Sequence, residues 1–326
     1  MYIAMFGHYT ATVTFVVIVC LGFWSHRYLP AFMQFHGTKM GLVALLAGSV
    51  AVTYLCSFAT KSLTRLFYTP PAQQNGLSRV PKVRHVVLDE SIVGGKRVFL
   101  VGDVHGCYDE MMELLHKADA MREDTVVIFV GDMVNKGPKS WEVLDFLRRS
   151  KVYAVKGNHE DHVLREYDNS RNPEYKLPQK YTWVGKLTNE EAEYLRELPY
   201  TISLPTFNII VVHAGLVPGR SLEEQSDYEM MTVRNVVKTE EGKFEARKRA
   251  TEGQPWAAEW TGPQHVVFGH DAIRRLQVYD HATGLDTGCL YGGNLTGLFL
   301  LGEGERKFVS VKSRQSYTSG VKVNQF

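Results

Sequence analysis

The chain has 326 residues, 44% hydrophobic and 22% charged, a globular composition that excludes wholesale disorder, collagen and a disulfide-rich mini-protein. Its +2 charge sits in the first sixty residues, which hold Arg27 and Lys39 and no acid; the other 35 of the 37 Lys and Arg balance 35 Asp and Glu, so the remainder does not advertise a nucleic-acid binder. The four cysteines form no C-x-x-C pair, which argues against structural zinc on thiolates and against a disulfide framework.

Residues 1–60 read as a membrane-anchor region. The stretch 40–59, from Met40 to Ala59, has no charge and is flanked by Lys39, Lys61 and Arg65. That is about the length that crosses a hydrocarbon layer of roughly 30 Å. The stretch 10–24, from Thr10 to Trp24, is a candidate second span, and neither stretch carries the polar stripe of a core helix. No Lys or Arg precedes the first run and no clear cleavage site follows it, which favours an anchor over a signal peptide. Two spans put the rest of the chain on the cytosolic side by the Lys/Arg bias; with one span the flanking charges nearly cancel and leave the side open. Residues 61–95 read as a linker leading into the domain, with Pro, Gly, Asn and Gln gathered in 69–81.

From residue 96 a local pattern recurs, in which a short aliphatic run stops at Gly or at a ligand-type residue. Residues 97–101 end in Gly102-Asp103-Val104-His105-Gly106, residues 125–130 in Gly131-Asp132, and residues 151–155 lead to Gly157-Asn158-His159-Glu160. Helix-like stretches follow each of these three. Residues 209–212 end in His213 and residues 266–268 in Gly269-His270. In an open α/β sheet functional groups collect at the carboxyl ends of the strands, so these side chains are expected on one rim. Oxygen and imidazole donors without thiolate suit a pair of divalent cations such as zinc, manganese, cobalt, iron or magnesium. Asp132 is the natural bridge, since a carboxylate can hold two cations roughly 3.5–4 Å apart over a water activated for attack on phosphate. One such piece alone is as well explained by a capping Asp or a hydrogen-bonded structural His; five in order are not. His85, His116, His162, His265 and His281 lack the strand-end context and have no expected catalytic role.

This ordered set resembles the phosphoprotein-phosphatase type of metallophosphatase over residues 96–312, leaving 313–326 as a C-terminal tail. The resemblance implies an α/β fold, a calcineurin-like β-sandwich flanked by helices and preceded here by the membrane segment. It implies one metal on Asp103, His105 and Asp132, a second on Asp132, Asn158, His213 and His270, and His159 as general acid. Zinc is favoured, with manganese, cobalt or magnesium as alternatives. Where the protein serine/threonine phosphatases carry G-D-x-x-D-R-G and R-G-N-H-E, this chain has Asn135 for the second Asp and Lys136 and Lys156 for the two arginines. A bidentate fork becomes a point charge, and the acid histidine loses its carboxylate partner.

The same substitutions, with GNHEDHVL (157–164), GHDAIRRL (269–276) and GLDTGCLYGGNLT (284–296), look like the ApaH-like branch, relatives of bacterial diadenosine tetraphosphatase. A membrane segment ahead of such a domain is similar to the fungal vacuolar zinc-dependent endopolyphosphatases. That resemblance implies cleavage of internal bonds of inorganic polyphosphate at a vacuolar membrane, with the domain in the lumen. Lys136 is expected on a neighbouring phosphate. Arg234, in MMTVRN, is either a second phosphate contact or a solvated surface arginine, and Arg274 and Arg275 share that alternative. Residues 238–249, with five basic and three acidic residues, are a solvated face or a track for a polyanion. The alternative activity is hydrolysis of dinucleoside polyphosphates or an RNA cap, with Tyr291 or Trp256 as a shelf for a base or as core; a Ser/Thr protein phosphatase comes third, and a non-catalytic membrane scaffold last. Nucleic-acid binding is expected only under the cap or dinucleotide reading.

Overall fold

The described residues of the computed structural model are 78–301 and 305–318, starting where the Ser78 backbone N–H is held by the Asp161 carboxylate at 2.8 Å. Both expected membrane stretches, 10–24 and 40–59, lie outside them. The elements in chain order are β1 (His85–Val87), α1 (Glu90–Val93), β2 (Arg97–Val101), α2 (Tyr108–Lys117), β3 (Thr125–Phe129), α3 (Ser140–Arg149), β4 (Tyr153–Ala154), α4 (Asn158–Ser170) and α5 (Asn189–Arg196). The second half holds β5 (Thr201–Leu204), β6 (Ile209–Val212), α6 (Asp227–Met230), β7 (Asn235–Lys238), β8 (Phe244–Arg247), β9 (Gln254–Pro255), α7 (Trp256–Glu259), β10 (His265–Phe268), β11 (Gln277–Val278), β12 (Ala282–Gly284), β13 (Asn294–Leu300) and β14 (Arg306–Lys312).

Successive strand side chains point to opposite faces, and here both faces are buried. One face of the five-stranded sheet β14-β13-β2-β3-β4 and one face of the six-stranded sheet β1-β5-β6-β10-β12-β11 meet in a shared core of Val98, Leu100, Ile128, Ile209, Val211 and Val267. Phe99, Val101, Val127 and Phe129 face the other way, onto Met111 and Leu114 of α2 and Val143 and Leu147 of α3. Ile210, Val212, Val266 and Phe268 pack on Met230, Met231 and Trp256. The result is a mixed α/β sandwich flanked by helices, with a small third sheet β8-β7-β9 beside it.

Two expectations change. The strand-end residues do not share the rim of one open sheet: β2, β3 and β4 run parallel in the first sheet, while β6 and β10 run parallel in the second. Alternating βα units specify parallel strands, and their pattern is the same whether the strands join one sheet or two. The vacuolar-membrane location is also corrected. Among the described residues no helix is long and apolar enough to cross a membrane; α4, the longest, has 13 residues, against about 20 for a span. Residues 313–318, expected as tail, return to α2, where Arg314 pairs with Asp109 at 2.9 Å and Tyr317 Oη donates to Glu110 at 2.8 Å.

Candidate active site

The loops after β2, β3, β4, β6 and β10 bring the expected side chains together. Asp132 lies at the middle: its carboxylate is 3.6 Å from His105 Nε2 and 3.4 Å from His213 Nε2, and it accepts the His159 backbone N–H at 2.8 Å. His213 Nε2 is also 3.2 Å from Asn158 Oδ1. Donor atoms of His105, Asp132 and His159, and again of Asp132, His213 and His270, lie within 4.8 Å of one another and could hold metal ions. Asp103 stands outside both groups, and its carboxylate accepts the His270 backbone N–H at 3.0 Å.

The backbone is bent to reach this arrangement. His105 (φ 47°), Asp132 (52°), Asn135 (76°), Lys136 (70°) and His270 (68°) adopt left-handed conformations that cost a non-glycine residue about 1–3 kcal/mol and gather at functional sites. Glu160, fully buried, offsets part of that cost. It accepts the backbone N–H of Asp132 (2.8 Å), Gly157 (2.9 Å) and Val134 (3.1 Å), tying the β3 loop to the first turn of α4. At Gly157 any Cβ collides with the Asp132 carboxylate, and at Gly269 with that of Asp103, so both carboxylates need a bare backbone beside them.

The electrostatics follow from burial and proximity. Burial drives the His105 and His270 imidazoles well below their usual range, toward the neutral form that binds metal. Burial opposes ionisation of Asp132, but the neighbouring imidazoles, His213 first and then His159, outweigh it and hold the carboxyl well below the usual carboxylate range. His159 is pushed down to about 4, chiefly by burial. Two nitrogens bear on the fit to a metal: His105 Nδ1 and His270 Nε2 are buried without a hydrogen-bond partner among the described residues. His213 Nδ1 donates to the Val130 carbonyl at 3.0 Å, which aims Nε2 at Asp132 and Asn158. Burial opposes the charged ring, but the Asp132 carboxylate outweighs it and raises this imidazole above its ordinary range. The donor set fits a divalent cation.

Of the expected phosphate contacts, Lys136 is exposed, with its ammonium 5.9 Å from the Tyr291 ring centre. Arg234 is not a solvated surface arginine: it is half-buried, donating to the carbonyls of His270 (3.0 Å) and Lys248 (3.2 Å). Arg274 binds Asp271 and Asn235, and Arg275 donates to the Thr287 carbonyl, so both hold loops together. Lys156 is fully buried, donates to the Arg196 carbonyl at 2.8 Å and cannot reach a phosphate from there. Residues 238–249 span the β7–β8 hairpin, where Lys243 and Arg247 pair with Glu241 and Glu245. Trp256 is core, 2% exposed, whereas Tyr291 is half-buried beside Lys136. Sequence reasoning missed Glu160 as an organiser and Asp286, a buried carboxyl pushed up to about 6 chiefly by burial and the strongest charged neighbour of Asp103. The only signal for either was its place inside GNHE and LDTG.

Residues 96–296 match the calcineurin-like phosphoesterase family. The bis(5'-nucleosyl)-tetraphosphatase PrpE of Halalkalibacterium halodurans is 30% identical over 68% of this chain and 95% of its own. The zinc-dependent endopolyphosphatase of Saccharomyces cerevisiae is 25% identical over 79% of this chain and 89% of its own. A crystal structure of a candidate diadenosine tetraphosphatase superposes with a TM-score of 0.63 at 34% identity, covering 71% of this chain and 98% of that one. These likenesses lie with tetraphosphatases as well as with the yeast enzyme, and they lend no support to the vacuolar-membrane location.

Proposed function

The chain belongs to the calcineurin-like phosphoesterases, is a metallophosphatase of phosphoanhydride substrates, and from that premise we propose that it cleaves an internal anhydride of dinucleoside polyphosphates. The observation that carries the choice is the half-buried Tyr291 ring beside the exposed Lys136 ammonium, a surface suited to a base next to a phosphate. The likeness to tetraphosphatases at 30% and 34% identity supports it. Inorganic polyphosphate, placed first by the sequence, is the second reading, favoured by the longer alignment with the yeast endopolyphosphatase.

In this proposal Asp103, His105 and Asp132 would hold one divalent ion and Asp132, Asn158, His213 and His270 a second, with zinc favoured by the imidazole-rich set and manganese, cobalt or magnesium as alternatives. When bound, the pair supplies Lewis acidity that neutralises phosphate charge and makes water acidic enough to attack near neutral pH. The chain's own groups do the rest. Asp132 orders the imidazoles around itself, Lys136 binds the phosphate next to the scissile bond, and His159 faces the leaving oxygen. Arg234 has its terminal nitrogens on the His270 and Lys248 carbonyls and its Nε 3.7 Å from the Asp271 carboxylate, so it would act on phosphate only through the charge that Asp271 leaves uncompensated.

The test is zinc-loaded protein assayed in parallel on diadenosine tetraphosphate, long-chain polyphosphate, capped RNA and a phosphothreonine peptide. The dinucleotide is expected to turn over fastest. Tyr291→Ala should raise KM for the dinucleotide about tenfold, within the 1–3 kcal/mol of a base stacked on an aromatic ring, and leave polyphosphate unchanged. A strong preference for polyphosphate overturns the first reading in favour of the second.

A further inference from the structure

The Lys136–Tyr291 pair has a counterpart tied to the other half of the site. Tyr228, in α6, is 42% exposed, and the Lys248 ammonium lies 3.4 Å from its hydroxyl but 5.8 Å from its ring centre. The ammonium therefore sits beyond the hydroxyl end of the ring and does not cover its face. Both residues are fixed to the loops that carry the second set of donors. The Met230 carbonyl, at the end of α6, accepts the backbone N–H of Ala214, the residue after His213, at 2.8 Å. The Lys248 carbonyl accepts from Arg234, whose other terminal nitrogen is on the His270 carbonyl. On the first set, the Gly137 backbone N–H donates to the His105 carbonyl at 2.8 Å, which fixes Lys136 beside that residue. Neighbours therefore run in unbroken succession from Tyr291 through Lys136 and His105 to Asp132, and on through His213 and His270 to Arg234, Lys248 and Tyr228. The other lysine–ring pairs among the described residues lack this placement: Tyr181 and Tyr200 are 3% and 1% exposed, and Phe244 packs against the core around Met230 and Trp256.

We infer that Tyr228 and Lys248 form a second nucleotide shelf, so that a dinucleoside polyphosphate lies across the donor groups with one base on Tyr291 and the other on Tyr228. The inference deepens the dinucleotide reading of the site and rests on it. The order of groups in the ligand matches the order of groups in the protein: a planar base at each end and a run of negatively charged phosphates between them. Stacking on an aromatic ring serves any base, because every base has a π-face. An ammonium is a compact point charge that meets a phosphate at many angles, which suits a phosphate beside the stacked nucleoside. The acids around Tyr228 are already paired, Asp227 with Arg84, Glu229 with Arg220, and Glu245 and Glu252 with Arg247. Lys248 and its neighbour Arg249 are exposed and have no ion pair among the described residues, so the charge that meets an incoming phosphate here is positive. Inorganic polyphosphate offers charge to the two lysines and no ring to either tyrosine. A mononucleoside polyphosphate fills one shelf at a time.

The test compares diadenosine tetraphosphate, adenosine tetraphosphate and long-chain polyphosphate on the full-length, zinc-loaded protein; adenosine tetraphosphate keeps the phosphate chain and carries a single base. In the native protein the dinucleotide is expected to have a KM about tenfold below that of the mononucleotide, the gain from one more stacked base. Tyr228→Ala should raise the dinucleotide KM about tenfold, to the mononucleotide value, and leave kcat and the polyphosphate KM unchanged. Tyr228→Phe keeps the ring and drops the hydroxyl beside Lys248, and should retain the native KM. Lys248→Gln should raise the dinucleotide KM by a smaller factor and flatten its rise with salt. Native protein that turns over polyphosphate and neither nucleotide overturns the parent reading of the site. Dinucleotide turnover that responds to Tyr291→Ala but keeps its native KM in Tyr228→Ala overturns this inference alone. So does a Tyr228→Phe variant as impaired as Tyr228→Ala, because the hydroxyl would then be a structural tie to Lys248, or a Tyr228→Ala variant that loses kcat equally on all three substrates.

Discussion

His265 and His270 lie five positions apart and are about equally buried, at 6% and 8% exposure, yet they do opposite things. His265 opens β10, and its Nε2 is 2.9 Å from the Thr283 hydroxyl in the paired strand β12. His270 follows the end of the same strand in a left-handed conformation, with its backbone N–H on the Asp103 carboxylate and its Nε2 without a partner among the described residues. Burial does not separate a structural imidazole from a ligand. What separates these two is that His270 combines a left-handed backbone with an unsatisfied nitrogen and His265 has neither.

Three experiments press on that contrast. The largest effect is expected from His270→Gln, which should lower turnover by more than the 10–100-fold that losing a mere partner of a ligand costs, and should lower bound metal measured by elemental analysis. His265→Gln should leave both near native values; equal losses in the two variants would erase the distinction. Next comes Gly269→Ala, between the two histidines. Its Cβ would press on the Asp103 carboxylate, so a loss of about 1–3 kcal/mol in chemical denaturation is expected, together with weaker metal binding.

The smallest effect is a pH dependence. Burial, with the Arg306 charge, pushes His265 down to about 4 from its ordinary 6.5. The unfolded chain therefore binds the proton more tightly than the native state, and the stability tied to the neutral ring is present above pH 6.5 and lost as pH falls toward 4. Melting temperatures between pH 7 and 4.5 should fall less steeply in His265→Gln than in the native chain. An unchanged slope would mean that His265 does not report on folding.

The strand-end pattern made most of the site legible. Asp103, His105, Asp132, Asn158, His213 and His270 each follow a hydrophobic run, because a ligand must leave a sheet where the ladder stops, and that rule is written in the local sequence. His265 was left out for the same reason, since it begins its run. Glu160 was not legible as an organiser: its contacts are backbone N–H groups, which every residue carries, so no side-chain pattern marks the position it serves. Lys156 read only as a replacement for an arginine of the related motif, and its burial against the Arg196 carbonyl was not legible, because its direction is set by how α4 and α5 pack rather than by its neighbours in the chain. Trp256 and Tyr291 were equivalent aromatics in the sequence, and only their burial separates core from surface.

By itself the sequence determined the chemistry on offer: the imidazole and oxygen donors, the absence of thiolate pairs, the exchange of Asp for Asn135, and the short aliphatic runs that become the buried strands β2, β3, β6 and β10. These are properties of residue type and of spacings shorter than one strand and its turn. The tertiary structure decided that two sheets rather than one supply the donors, that Asp132 stands between His105 and His213, and that the Asn135 amide points its nitrogen at His159. Those facts depend on contacts between segments tens of residues apart, and a local pattern is the same whichever partner the packing brings to it.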